Sequence, residues 1–333
     1  MGPQVMAPIN DKVILSTSLP TISLLRLEAG DANESAALLQ ACSSHGFFYL
    51  NLQGADTLLG TWRSLLSVIA DYFDQPVDHK MNDARESDNQ GYEPAGTSVG
   101  ARSDEISRRE MLNRHAELST SVDKQQQLFF DFMGNAHKIT LTILSRLSDA
   151  LSLEGSAGFE TVHRHDRPSL STLALFHYLK QDNGQVPGFG HGKHTDIGTL
   201  TFLLCEQWGL QVISPDTESW AFVEPRLNHA VINVGDSLRF ISGCKLSSAV
   251  HRVVPVQEKQ MEDRYSIAYF LRMENDVKYR DSANKIWSAQ EWHDSKFNLF
   301  RDPVGLPNNA QMLTGVMESN EKLLEKAIPV TWF

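Results

Sequence analysis

Cysteine is scarce in this chain: Cys42, Cys205 and Cys244 are the only three among 333 residues. They are widely spaced and odd in number, so they supply neither a disulfide framework nor the paired spacing of a zinc site. All three are expected to be reduced and mostly buried. Long apolar runs are missing too. No stretch approaches the roughly 20 residues that span a bilayer, and the first residues lack the basic-then-apolar pattern of an export signal. A cytoplasmic location with no membrane partner is therefore expected. Positive charge is in short supply: 30 Lys and Arg against 41 Asp and Glu leave a formal net charge of −11. No basic stripe offsets that balance, so no nucleic-acid partner is expected. Internal repeats and low-complexity tracts are absent as well. What remains is an ordinary globular composition, 41% hydrophobic and 21% charged, in a length that suits one large domain or two small ones. Asn33-Glu34-Ser35 has the form of a glycosylation sequon, but without a secretory route it reads as helix surface.

The first fifteen or so residues show no clear period and read as a loose arm. Residues 20–24 read as a first strand. Asn33 or Ser35 could cap a helix through Ala36, Leu38, Leu39 and Cys42, which Gly46 ends. Phe47-Phe48-Tyr49-Leu50 then has the aromatic character of a strand. A second helix carries Leu58, Trp62, Leu65, Ile69 and Phe73 at helical spacing and stops before Pro76. Residues 81–107 turn polar, with Gly91, Gly96 and Gly100, and read as a long surface loop. A long helix is expected over 121–151, with Phe129, Phe130, Phe132, Met133, Ile139, Ile143 and Leu147 as core positions. From Leu170 onward short strands follow at 172–178, 198–204, 209–213, 220–223, 230–234, 248–254 and 265–271. Many short strands parted by turn residues indicate a sandwich or barrel-like roll. Residues 288–333 read as mostly helical or irregular, covering one end of that roll.

The chemistry concentrates in residues 190–266. Alternate side chains of an extended strand share a face, so His194 and Asp196 would point the same way with Thr195 turned aside. Adding His251 gives two imidazoles and one carboxylate, a set that holds Fe(II) with coordination positions left open. Taken alone, His194 and Asp196 could equally be a surface pair on a turn. Arg264 and Ser266 also share a strand face, and a guanidinium beside a hydroxyl suits a carboxylate. By itself, Arg264 could be an ordinary surface arginine.

The flanking residues add a resemblance. Leu19-Pro20-Thr21-Ile22, His45-Gly46-Phe47-Phe48-Tyr49-Leu50 and Gly91-Tyr92-Glu93-Pro94 come first. His194-Thr195-Asp196, Gly209-Leu210-Gln211-Val212, Asn233-Val234-Gly235-Asp236, His251-Arg252-Val253 and Arg264-Tyr265-Ser266 follow in order. Through them the chain resembles the 2-oxoglutarate/Fe(II)-dependent dioxygenases of the isopenicillin N synthase-like branch, over nearly its whole length. The resemblance implies an α+β architecture with a mainly β core, a double-stranded β-helix (jelly-roll, cupin-like) flanked by helices. It implies an N-terminal helical/mixed region at 1–165, an Fe(II)/2-oxoglutarate-binding core at 166–280, and a C-terminal helical segment at 281–333 that covers the active site.

It further implies that His194, Asp196 and His251 are the iron ligands and catalytic centre. Arg264 and Ser266 would hold the distal carboxylate of 2-oxoglutarate, with Tyr178 touching it as well. Plant-type members carry Asn-Tyr-Tyr-Pro where this chain has Phe176-His177-Tyr178-Leu179. Tyr178 stays in register, but Phe176 cannot make the asparagine's hydrogen bond. His191 is a tempting fourth ligand, yet it would occupy a position that co-substrate and oxygen require, and it is set aside. Fe(II), 2-oxoglutarate and O2 are the implied cofactor and co-substrates. The implied reaction oxidises a small molecule through a ferryl intermediate, by hydroxylation or by desaturation, ring closure or ring expansion, in specialised metabolism.

An aromatic or polyketide-derived substrate is expected, contacted by Phe270 and Tyr92, although Phe270 reads equally as a core residue. His163, His165 and His177 read as structural or exposed, and Trp208 and Trp220 as packing residues. Thr195, Gly209 and Gly235 fit turn and strand geometry. Two other readings stay open. One is an iron oxidase like isopenicillin N synthase, which needs no 2-oxoglutarate and would hold a substrate carboxylate with the arginine–serine pair. The other is a non-catalytic binding module on the same roll.

Overall fold

The computed structural model describes residues 5–9, 12–84, 91–95, 103–109, 125–181, 191–214, 217–257, 259–301 and 312. Strands β1 (Val5–Ile9), β2 (Lys12–Thr17), β3 (Thr21–Ser23) and β4 (Phe47–Asn51) come first. Helices α1 (Leu24–Glu28) and α2 (Ala32–Ser44) separate the last two, and α3 (Asp56–Phe73) and α4 (Val77–Lys80) follow. Strands β5 (Gly91–Glu93) and β6 (Ser103–Arg109) precede the long helix α5 (Gln126–Ala150). Next come β7 (Thr172–Tyr178), β8 (His191–His194), β9 (Leu200–Leu204), β10 (Leu210–Ser214), β11 (Ser219–Val223) and β12 (His229–Val234). Helix α6 (Asp236–Ile241) leads to β13 (His251–Val253) and β14 (Arg264–Leu271). The hairpin β15 (Lys278–Arg280) and β16 (Ile286–Ser288) runs into α7 (Ala289–Arg301).

One sheet has the order β1-β2-β11-β10-β13-β8 and the other β3-β4-β12-β9-β14-β7-β6-β5. From β7 to β14 the chain passes back and forth between them. Strands β7, β9, β12 and β14 lie in the larger sheet, and β8, β10, β11 and β13 in the smaller. That alternation is the jelly roll expected. Every residue of β7 is buried, which requires cover on both faces of the larger sheet. Helices α2, α3 and α5 cover its outer face, where Phe132 meets Phe202 edge-on at 6.4 Å beside Leu175 and Ile267. The inner face carries Ala174, Phe176, Tyr178 and Ala268 into the roll.

Several expectations are corrected. The N-terminal residues are paired strands, with Ser16 of β2 set parallel to Phe222 of β11. Asp31, rather than Asn33 or Ser35, caps α2, accepting the Asn33 and Glu34 N–H groups at 2.9 and 3.2 Å. The helix therefore starts a turn earlier and turns Glu34 inward, so the sequon lies only partly on the surface. The expected loop at 81–107 contains β5 and β6, which extend the larger sheet alongside β7. Phe130 is 40% exposed, because helical periodicity turns it away from Phe129, Phe132 and Met133. Cys42 is buried as expected, whereas Cys205 is half-buried and Cys244 exposed, and all three are free thiols. The expected helix start at 121–124 and most of the segment after Arg301 lie outside the described residues. No described helix is long and apolar enough to cross a membrane.

Candidate active site

His194 ends β8 and pairs across the antiparallel ladder with His251, which opens β13. Directly opposed residues share a face, and here the two rings stand 4.3 Å apart between centroids. Asp196 lies just beyond the strand rather than on it as expected. The Asp236 N–H, donated to the Asp196 carbonyl at 2.8 Å, bends the loop back. Asp196 Oδ1 then sits 3.5 Å from His194 Nε2 and 3.7 Å from His251 Nε2. The three ligand atoms all fall within 4.8 Å of one another.

Backbone carbonyls orient both rings: Gly192 O lies 2.7 Å from His194 Nδ1, and Ala249 O 3.2 Å from His251 Nδ1. A carbonyl only accepts, so Nδ1 carries the proton and Nε2 keeps its lone pair for an ion. The second carboxylate oxygen is held from the larger sheet. Asn233 Nδ2 donates to Asp196 Oδ2 at 2.7 Å, and the Thr201 hydroxyl donates to the same atom. Asn233 and Thr201 are ladder partners on β12 and β9. Burial alone would raise the Asp196 carboxyl, but His251, His194 and the Asn233 amide outweigh it and hold it well below the usual range. Burial and the neighbouring His194 push His251 down to about 4, against the pull of Asp196. An anionic carboxylate beside neutral imidazoles is the protonation state that metal binding needs. The donor set fits Fe(II).

A second group faces this cluster from the larger sheet. Arg264 opens β14 and pairs with Tyr178, which ends β7, while Ser266 pairs with Phe176. The Arg264 side chain is 1% exposed. Its Nε donates to the Trp208 carbonyl at 3.0 Å, and its guanidinium lies 4.6 Å from the Tyr178 ring centroid. Its Nη1 is buried with no hydrogen-bond partner among the described residues. A buried, partly unpaired guanidinium is costly, and a carboxylate at Nη1 would relieve it. Gly209 makes the approach possible. At φ +144° it takes a backbone conformation open to glycine, and a Cβ there would meet Arg264 Nε at 2.9 Å.

Phe270 shares the inward face, half-buried against the cluster of Phe176, Tyr178 and Ala268, with the Arg272 guanidinium 5.4 Å from its ring. Tyr92 is not brought to this group. Its ladder position runs through Ile106 and Leu175 to Ile267, which faces the helices. There it is buried, 6.4 Å from the Tyr72 ring and 5.3 Å from the Lys80 ammonium. A one-residue parity in the pleat puts it behind the sheet.

His163 is structural, bonded to the Phe159 carbonyl and the Thr199 hydroxyl at 2.8 Å each. His177 lies 3.0 Å from Asp263 and stacks on Tyr265, and His165 is exposed. Trp208 packs on Phe222, and Trp220 lies beneath the Arg252 guanidinium.

Sequence reading missed Lys296. It is fully buried on α7 and donates to Asp236 Oδ2 at 2.5 Å and to Thr195 Oγ at 2.7 Å. Thr195 in turn donates to Asp236, so it does more than shape a turn. Phe300, one helical turn further on, stands edge-on to His194 at 5.5 Å. The available signal was a lysine set among Trp292, Phe297 and Phe300 on the apolar stripe of a helix.

A jelly roll with two histidines and a carboxylate at one rim, faced by a buried arginine, defines a mononuclear non-haem iron oxygenase. Residues 170–273 match the 2OG-Fe(II) oxygenase superfamily, and residues 19–131 match the non-haem dioxygenase in morphine synthesis N-terminal family. The chain is 47% identical over 308 residues to the 2-oxoglutarate-dependent dioxygenase frbH of Dothideomycetidae sp. (strain 11243), covering 90% of this chain and 96% of that one. It is 45% identical over 318 residues to the 2-oxoglutarate-dependent dioxygenase gloE of Glarea lozoyensis, covering 93% and 96%. The crystal structure of the dioxygenase for auxin oxidation in rice matches the fold with a TM-score of 0.65. Identity to it is 22%, covering 87% of this chain and 99% of that one. The chain belongs to the 2-oxoglutarate/Fe(II)-dependent dioxygenases. It is an oxidoreductase that uses Fe(II), 2-oxoglutarate and O2 on a small-molecule substrate.

Proposed function

We propose that His194, Asp196 and His251 hold Fe(II) and that Arg264, Ser266 and Tyr178 hold the distal carboxylate of 2-oxoglutarate. The substrate is an aromatic or polyketide-derived small molecule of specialised metabolism, and the enzyme is cytosolic, in keeping with its free thiols. Residues 166–280 form the chemical core, 1–165 buttress it, and 281–333 cover the site. The observation that carries this reading is Arg264, buried with Nη1 unpaired among the described residues, on the sheet that faces the His-Asp-His cluster.

Bound Fe(II), with 2-oxoglutarate and O2, supplies the oxidising power for C–H cleavage, and 2-oxoglutarate leaves as succinate and CO2. The chain itself binds and positions. Asn233 and Thr201 hold Asp196 Oδ2 and so aim Oδ1 at the metal. The Tyr178 ring backs Arg264, which presents donors in a fixed plane to the carboxylate. Phe176 and Phe270 give the inner wall an apolar surface that excludes water and suits a flat substrate. Phe300, against His194, extends that surface onto α7.

The test is anaerobic titration of Fe(II)-loaded protein with 2-oxoglutarate, read by the visible absorption of the chelated 2-oxo acid. A saturable band is expected, weakened at least tenfold in Arg264→Ala, since a charge-assisted pair is worth about 1.5–3 kcal/mol. Oxygen uptake that needs no 2-oxoglutarate would instead support the oxidase reading.

A further inference from the structure

His191 and His194 are three residues apart, so on a regular strand they would face opposite sides of the sheet. The ladder between β13 and β8 breaks that rule. His251 pairs with His194, but Val253, two residues on, pairs with His191, so β8 carries one extra residue at a bulge. Bulges re-aim side chains, and this one turns His191 onto the inward face with the metal-site histidines. Its ring stands edge-on to Phe176 at 5.5 Å and lies 5.6 Å from the His194 ring. Phe176 pairs with Ser266, two residues from Arg264 on β14. His191 therefore lies between the His-Asp-His cluster and the arginine that faces it.

His191 Nδ1 is buried and has no hydrogen-bond partner among the described residues. Buried polar atoms are rarely left so without a reason. Phe176, on the opposite wall, offers no polar atom. His191 also lies outside the set of groups close enough to share an ion. The position thus offers a donor where the wall around it is apolar, beside the path a 2-oxo acid would take from metal to Arg264.

We propose that His191 is a binding residue for the co-substrate. Its Nδ1–H donates to the carboxylate next to the keto group, while Arg264 and Ser266 take the far carboxylate. The proposal rests on the assignment of Arg264 as the clamp. A neutral imidazole can carry its proton on Nδ1, and a hydrogen bond to a carboxylate is of the stronger, charge-assisted kind.

The experiment compares wild type, His191→Phe, His191→Asn and Arg264→Ala in the anaerobic 2-oxoglutarate titration, with Fe(II) affinity measured separately by chelator competition. His191→Phe keeps the ring volume and is expected to weaken 2-oxoglutarate binding about tenfold with Fe(II) affinity unchanged. His191→Asn, which restores a donor, should recover most of that loss. Wild-type binding in His191→Phe, with Arg264→Ala impaired, would reduce His191 to packing and leave the clamp standing. An unimpaired Arg264→Ala would remove the clamp itself, and this inference with it. Equal loss of Fe(II) affinity in His191→Phe would show action through His194 and overturn the proposal. In wild-type protein carrying Zn(II) in place of Fe(II), added 2-oxoglutarate should shift the His191 ring-nitrogen resonances. Unmoved resonances overturn the proposal even if the variants do not fold.

Discussion

Gly209 carries no functional group, yet Arg264 depends on it. Replacing it with alanine adds a Cβ that would meet Arg264 Nε at 2.9 Å and forces an unfavourable φ. Gly209→Ala is expected to weaken 2-oxoglutarate binding by an order of magnitude or more while leaving Fe(II) affinity intact. Isothermal titration with each ligand separates the two effects. At the metal cluster, Asp196→Ala removes the only carboxylate and should abolish Fe(II) binding together with turnover, and residual turnover would count against the assignment. Residues of this kind were legible in the sequence because pleated strands fix short spacings. Arg264 and Ser266 share a face by that rule alone, and the structure agrees. His191 was not legible, since a bulge is a property of the partner strand as much as of its own. Tyr92 was misjudged for a related reason, because its facing depends on a register with β6 and β7 that no local pattern reveals.

Among the elements, α7 is tied behind the metal loop by a buried ion pair. Burial lowers the Lys296 pKa, while Asp236 at 2.5 Å supports the charged form. Lys296→Met would leave Asp236 buried without its cation, a change that costs about 3–5 kcal/mol. Chemical unfolding should show that loss. Fe(II) affinity should fall with it, because the Asp236 N–H holds the Asp196 loop. The link that His163 makes between the Phe159 carbonyl and Thr199, the residue before β9, responds to acid. Burial pushes His163 from an ordinary 6.5 down to about 4. The folded state keeps His163 neutral where the unfolded chain takes up a proton, so its contribution is complete above 6.5 and is lost as pH falls to about 4. That loss amounts to roughly 3 kcal/mol. Melting temperature should drop over this window in the wild type and less steeply in His163→Gln. Sequence patterning found α3, α5, β7 and the strands from β9 to β14, most of which bury apolar side chains. It missed β1, β2, β5, β6 and β8, whose pairing comes from neighbouring strands; Ser103–Arg109 and His191–His194 carry too few apolar residues to announce a strand.

Over the whole molecule, the two ends of the site hang on different sheets. His194 and His251 belong to the smaller sheet, and Arg264, Ser266 and Tyr178 to the larger. Only the overall order of motifs in the sequence hinted that they would meet, since no local signal sets the separation of two sheets. That separation, about 10 Å in stacked sheets, is kept by Phe47 and Tyr49 from one side and Leu210, Val212 and Val223 from the other. The roll therefore acts as a gauge of molecular length. A dicarboxylate one carbon shorter or longer than 2-oxoglutarate would touch metal and arginine only with strain, so oxaloacetate and 2-oxoadipate should be poor replacements. Slackening the spacer, for instance with Leu210→Ala, should narrow the preference for 2-oxoglutarate over 2-oxoadipate without altering any atom that touches either acid.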